Sequence, residues 1–165
     1  MIRGAVVTVS DKGHAGLRED VSGPLLAALL EQAGVTVVAQ SIVPDEVDAI
    51  QRVLLALVHL SNVDVVVTTG GTGPTPRDIT PEATLSVIDR ELPGLCEVLR
   101  LEGYRNTPLA SLSRGISGIR ARTLIVNLPG SPKAVREGVQ VLIPILPHAV
   151  RMARGVDTDH TANHG

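Results

Sequence analysis

Residues 63–78 read VDVVVTTGGTGPTPRD. The opening VDVVV has the composition of a strand buried on both faces, and DVVVTT (64–69) reads as the third strand of the chain. The eleven residues that follow hold three glycines, two prolines and no aliphatic side chain. Glycine has no Cβ and tolerates positive φ, so such a loop lets backbone N–H groups approach a phosphate or a flat ring closely. Thr68, Thr69, Thr72 and Thr75 add hydroxyl donors. The next segment, TPEATLSVIDREL (80–92), has Pro81 at a first helical position and Glu82 placed to suit the helix dipole, with Thr80 as the expected N-cap. The positive end of that helix faces back to the loop. Phosphate or nucleotide binding is one reading, and a plain strand-to-helix turn is the other. The stretch is neither a P-loop, since Gly-Lys-[Ser/Thr] is missing, nor the GxGxxG dinucleotide fingerprint.

Working outward, IRGAVVTVS (2–10) and VTVVAQSIV (35–43) read as strands, and SGPLLAALLEQAG (22–34) as a helix closed by Gly34. Residues 45–60 form an amphipathic pattern with Val47, Ile50, Leu54, Leu57 and Val58 on one face. PGLCEVLRLEGYR (93–105) reads as a further helix. GISGIR (115–120) and TLIVNL (123–128) read as strands that could pair as a hairpin. Residues 131–155 read as a long helix opened by Ser131 and Pro132 and interrupted at Pro144 and Pro147. The β-α-β-α-β alternation predicts a mostly parallel open sheet with helices on both faces, in one domain over 1–155. The polar tail 156–165 is expected to be disordered, and His160 and His164, four apart, would suit a metal only on a helix. Ligands of such sheets bind at the carboxyl ends of the strands, which here means the loops 10–20, 43–46, 68–78 and 127–133.

Composition narrows the function. Hydrophobic residues make up 44 % of the 165, with no Phe or Trp and a single Tyr, so the core must be Val, Leu, Ile and Ala. A net charge of −2 and almost no aromatic side chains to stack bases on argue against nucleic-acid binding. No apolar run approaches the length of a membrane span. Cys96 is the only cysteine, so no internal disulfide can form, and it falls on an apolar helix face, so a buried structural thiol is expected rather than a nucleophile. A soluble cytoplasmic protein is the expectation.

Two acids stand at predicted strand ends. Asp45 follows the second strand, and Asp78 closes the glycine loop. Carboxylates so placed suit Mg²⁺, which takes hard oxygen ligands and keeps substrate phosphates in its shell. The structural alternatives are that Asp45 caps the next helix, with Asp48 in a capping-box position, and that Asp78 pairs with Arg77 or Arg114. The stretch NLPGSPK (127–133) repeats the strand–glycine turn–helix pattern, with Ser131 and Lys133 in reach of an anion or simply as an N-cap and a solvated lysine. SLSRG (111–115) offers Ser113 and Arg114, or is a surface loop.

TVSD, VPDE, TTGGTGPTPRDITPEAT, LSRGISGIR and LIVNLPGSPK occur in this order. Together they resemble the MogA/MoaB family of molybdenum-cofactor biosynthesis proteins, which includes the G domain of gephyrin, over about residues 5 to 153. The resemblance implies a three-layer α/β/α homotrimer with molybdopterin adenylyltransferase activity. Molybdopterin and ATP would then be substrates and Mg²⁺ the cofactor, with the product passing to a separate molybdate-inserting protein and no fused insertion module expected. It also implies roles. Asp45 and Asp78 become the acidic, metal-holding pair, and Gly70, Gly71, Thr72 and Gly73 the glycine loop. Ser113, Asn127, Ser131 and Lys133 fall on the pterin side, with Arg114, Pro129 and Gly130 beside them in the candidate site. The alternative is a molybdopterin-binding carrier without turnover, in which the two aspartates are only caps and ion pairs.

Overall fold

The computed structural model describes residues 1–156. The tail expectation, with His160 and His164, lies outside the described residues apart from Val156, which is exposed. In chain order the strands are β1 (Ile2–Val9), β2 (Val35–Val43), β3 (Val65–Thr69), β4 (Arg90–Glu91), β5 (Ser117–Arg120) and β6 (Thr123–Leu128). The helices are α1 (Asp11–His14), α2 (Ser22–Gln32), α3 (Val47–His59), α4 (Thr80–Val87), α5 (Pro93–Asn106), α6 (Pro132–Leu142) and α7 (Leu146–Ala153), with a 3₁₀ turn at Pro108–Leu112.

The strands make one sheet in the order β2-β1-β3-β6-β5-β4. The four on the β2 side run parallel; β5 runs against them, and β4, antiparallel to β5, closes the far edge. The expected hairpin is β5–β6, with Ser117 opposite Val126 and Arg120 opposite Thr123. The central strands are buried on both sides, and successive side chains enter opposite layers. Val65, Val67, Leu124 and Val126 join the layer built by α2, α5, α6 and α7, whereas Val66 and Ile125 join the α3 and α4 layer. Helices therefore cover both faces, the three-layer α/β/α arrangement. Burying each such aliphatic side chain contributes about 1.5–3 kcal/mol.

Several element boundaries differ from the sequence reading. The helix expected over 80–92 stops at Val87, because Ile88 turns extended and β4 pairs with β5. Asp89 N–H then donates to the Ile119 carbonyl and Leu92 N–H to that of Ser117. Pro93 reinforces the break by disfavouring helical geometry at Leu92. Thr80 is not a cap: Ile79 stands at that position, and the Thr80 hydroxyl turns elsewhere. Ser131 does cap α6, its Oγ accepting from Ala134 N–H at 3.1 Å. The long C-terminal helix is two helices, α6 ending before Pro144 and α7 carrying Pro147 in its first turn. Val47 is half-exposed, while the rest of the predicted α3 face is buried.

The sheet turns at β1: the chain leaves toward β2 on one side and returns to β3 on the other. Thr8 lies beside Thr69, and Thr69 beside Leu128. The carboxyl ends of β1, β3 and β6 thus lie side by side, and the loops that follow them meet there.

Candidate functional site

The glycine loop leaves β3 through two residues of positive φ, Gly70 at 99° and Gly71 at 67°. A Cβ on Gly70 would strike the carbonyl of Val9, and one on Gly71 would strike the Thr80 hydroxyl, so only glycine fits at either position. Four consecutive carbonyls of the loop are turned back into the protein. Gly70 O accepts from Thr80 Oγ1 at 3.0 Å and Gly71 O from Thr80 N–H at 3.1 Å. Thr72 O accepts from Arg114 N–H at 2.8 Å and Gly73 O from Arg114 Nε at 2.9 Å. Gly70 N–H is used by the Leu128 carbonyl, but no acceptor among the described residues is in place for the N–H groups of Gly71, Thr72 and Gly73. Polar backbone groups seek partners, and a run of three such donors in a concave loop suits an anion.

Asp45 stands at the end of β2 and does not cap α3, whose N-cap position is Glu46. Instead its Oδ2 accepts from Asp11 N–H, and its own N–H donates to Asp11 Oδ1, each at 2.9 Å. Arg77 grips Asp11 Oδ2 with Nε at 3.0 Å and Nη2 at 2.7 Å. Burial pushes the Asp45 carboxyl above its ordinary 3.8; the Asp11 N–H opposes that, and the charges of Asp11 and Asp78 add to it. The guanidinium of Arg77 holds Asp11 below its ordinary value, helped by the hydrogen bond with Asp45. Asp78 pairs with neither Arg77 nor Arg114: its Oδ2 accepts from Thr75 Oγ1 at 2.6 Å and Thr75 N–H at 3.1 Å.

Two clefts of about 540 and 550 Å³ flank the loop. Gly70, Gly71, Asp78, Gly130 and Ser131 line both and so form the partition between them. The first cleft takes in Thr72, Gly73, Ser113, Asn127, Pro129 and Lys133, with Leu99, Leu109 and Leu112 supplying an apolar wall. The second takes in Asp45, together with Thr8, Ser10, Arg18 and Asp20. Gly70 and Gly130 press together, with Ser22 Oγ donating to Gly130 O at 2.6 Å. The structure therefore brings all but one of the sequence-selected residues to these two clefts.

The exception is Arg114, which lines neither. Besides the loop carbonyls it holds Asp78 O at 2.6 Å and pairs with the Glu82 carboxylate. Asn127 is buried and its amide is spoken for: Nδ2 donates to Thr68 Oγ1 at 2.9 Å and Thr84 Oγ1 at 3.1 Å, and Oδ1 accepts from Ile116 N–H. Lys133 is exposed and makes no ion pair among the described residues. Cys96 is buried against the first cleft, and burial raises its thiol pKa, as expected of a structural cysteine. Three residues carry more of the site than the sequence reading gave them: Asp11, Thr80 and Asp20. Asp11 lay in the TVSD motif, yet nothing in its neighbourhood pointed to Asp45, 34 residues away.

Among the described residues no group of three His, Cys, Asp or Glu side chains is placed to hold a metal ion. Four carboxylate residues line the second cleft, Glu19, Asp20, Asp45 and Asp78; Asp20 is taken up by the Thr8 hydroxyl and Gly23 N–H, and Asp45 and Asp78 are the two that abut the glycine loop. Two hard oxygen donors fit an ion such as Mg²⁺ that fills its remaining positions with water and phosphate, and would not fit one that needs a closed protein cage.

Comparison with known proteins gives a consistent result. The family model described as a probable molybdopterin binding domain matches residues 5–148. The molybdopterin adenylyltransferase of Helicobacter pylori is 41 % identical over 152 residues, 91 % of this chain and 86 % of that protein. The Drosophila molybdenum cofactor synthesis protein cinnamon is 46 % identical over 89 % of this chain, which spans only 25 % of cinnamon. The crystal structure of the molybdopterin biosynthesis enzyme MoaB from Thermus thermophilus superposes with a TM-score of 0.89 at 48 % identity, covering 94 % of this chain and 98 % of that one. The tungsten cofactor synthesizing protein MoaB of Pyrococcus furiosus gives 0.83 at 40 % identity, over 93 % and 98 %. No helix among the described residues is long and apolar enough to cross a membrane. With this sequence, this sheet order and these relatives, the chain belongs to the MogA/MoaB family of molybdopterin-binding and cofactor-biosynthesis proteins.

Proposed function

We propose that the chain binds molybdopterin in the first cleft and adenylylates its terminal phosphate with ATP held across the second. The observation that carries this reading is the shared partition. The unclaimed N–H groups of the glycine loop and the carboxylates of Asp45 and Asp78 meet where the two clefts adjoin.

The chemistry asks for positioning and charge neutralisation more than for a base. A phosphate monoester has a second pKa of about 6 and is already largely ionised at neutral pH. One of its oxygens attacks the α-phosphorus of ATP. The new P–O bond forms as the bond to the β-phosphate's bridging oxygen breaks, and pyrophosphate leaves with that electron pair. Mg²⁺ held by Asp45 and Asp78 would supply charge neutralisation for the triphosphate and the leaving pyrophosphate. The loop N–H groups offer fixed dipoles that need no reorganisation during the reaction. Lys133, on the first turn of α6, brings a positive charge to the pterin side.

Binding and transfer are not equally supported. The matching family model is described in terms of molybdopterin binding, and two of the similar solved structures are MoaB proteins. A carrier that holds molybdopterin without turnover accounts for these with one step fewer, and it is the second reading. The H. pylori relative's name favours transfer.

The first test is equilibrium binding of purified molybdopterin. The shared part of both readings predicts saturable one-to-one binding weakened by Lys133→Ala. A wild-type chain that retains no molybdopterin contradicts both. Assembly as a homotrimer and delivery to a separate molybdate-inserting protein belong to the same proposal. Exposed Val98, Leu101, Tyr104 and Leu109 are apolar surface that such an assembly would cover. Sedimentation equilibrium showing only monomer at micromolar concentration would count against the trimer.

A further inference from the structure

We propose that Arg114, with Thr80, is a positioning residue that makes the glycine loop an anion cradle by holding its carbonyls, and that its charge is not what the ligand senses. The proposal rests on the reading that the loop receives phosphate.

A loop of the sequence Gly-Gly-Thr-Gly has no intrinsic reason to present N–H rather than C=O to a cleft. Its peptides are free to flip, and a flipped peptide would aim a carbonyl at an anion. Here each of the four carbonyls is fixed from behind. Thr80 takes those of Gly70 and Gly71 with its hydroxyl and N–H, and Arg114 takes those of Thr72 and Gly73 with its N–H and Nε. The same guanidinium donates from Nη2 to the carbonyl of Asp78, which ends the loop, at 2.6 Å. One planar group therefore clamps both ends of the segment 73–78. Lysine, with a single ammonium and no fork, cannot span the two carbonyls in fixed geometry.

The charge of Arg114 is meanwhile spent on Glu82, whose carboxylate pairs with the guanidinium, and Arg114 lines neither cleft. A residue meant to attract phosphate would be expected to face it without a counter-ion. Thr80 is fully buried and lines neither cleft.

The test is a titration of the full ¹⁵N-labelled chain with inorganic phosphate, followed through the amide resonances of Gly71, Thr72 and Gly73. The wild type should show saturable shifts at these three amides. Arg114→Lys should weaken phosphate about tenfold, as much as Arg114→Gln, since both lose the forked donor. Glu82→Gln, which leaves the guanidinium less neutralised, should not tighten binding. An Arg114→Lys variant within twofold of wild type beside a weakened Gln variant would overturn the proposal, because charge would then be sufficient. Thr80→Val keeps the volume and removes one carbonyl bond; it should weaken phosphate several-fold with its melting transition still cooperative. Unchanged affinity in Thr80→Val would likewise overturn it. If phosphate leaves all three wild-type amides unmoved, the cradle itself falls and this proposal with it, whereas molybdopterin retained by that same chain would leave the pterin reading standing.

Discussion

Asp11 and Asp45 hold one another by reciprocal bonds, the N–H of each donating to the carboxylate of the other at 2.9 Å. This ties the end of β1 to the end of β2 and fixes one oxygen of Asp45. The other, Oδ1, lies against Gly71, where even an added Cβ would come within 3.1 Å of it. Asp45→Asn keeps an oxygen able to accept from Asp11 but removes the charge. In the transferase reading its adenylyl transfer falls by roughly 10²–10³, the usual scale for a preorganised electrostatic group. Its molybdopterin affinity stays within a few-fold of wild type. Initial rates and a binding titration on the same preparation separate the two effects.

Removing the other partner has a structural signature. Asp11→Ala leaves the Asp45 N–H and the Arg77 guanidinium without their acceptor. Arg77 is largely exposed and re-solvates, whereas the Asp45 N–H is partly buried. Urea unfolding should show a loss of about 1–3 kcal/mol, the cost of a buried donor left unsatisfied.

Gly71→Ala confronts positive φ and a clash with Thr80 together. Both the stability and the loop's presentation of its N–H groups depend on that turn. The variant should lose more than about 1 kcal/mol in denaturant unfolding. It should also lose phosphate-dependent shifts at the neighbouring amides.

The family resemblance places Asn127 beside the pterin, yet its amide satisfies Thr68, Thr84 and the Ile116 N–H inside the core. Asn127→Ala strands these groups, and stability should fall by several kcal/mol at about 1–3 kcal/mol for each unsatisfied group. Calorimetry that finds the variant as stable as wild type, with pterin affinity lost, would reassign Asn127 to direct ligand contact.

The clamp behind the loop carries a pH dependence. The Arg114 guanidinium holds the Glu82 carboxyl below its ordinary 4.5. A carboxyl depressed on folding adds stability that is fully present above its unfolded value and is lost as pH falls through its folded one. The stability difference between wild type and Glu82→Gln should therefore be constant at neutral pH and shrink as the pH is taken below about 4.5. Thermal unfolding of both proteins across that range checks the sign.

Most of the architecture was legible because buried parallel strands have an unmistakable composition. VVVTT and TLIVNL are the observed β3 and β6, and Gly34, Ser131, Pro144 and Pro147 mark real ends. The failures share a cause. α4 stops early, and Thr80 faces the loop rather than its own helix, because strand pairing and the glycine loop override local preference. The loops of the site were found from their place at strand ends. The links between them, Asp11 to Asp45 and Arg114 to Gly73, join residues 34 and 41 apart, and no local pattern encodes such distances. Arg114 was legible as a charged residue near the site but not as a residue that faces away from it.

The measurement that bears most directly on the central claim is incubation of the full chain with molybdopterin, Mg²⁺ and ATP labelled at the α-phosphate, followed by recovery of the pterin. The transferase account predicts label in the pterin, pyrophosphate released in equal amount, and both abolished by chelation or by Asp78→Ala. Unlabelled pterin, held tightly by the same protein, would contradict it and leave a molybdopterin carrier.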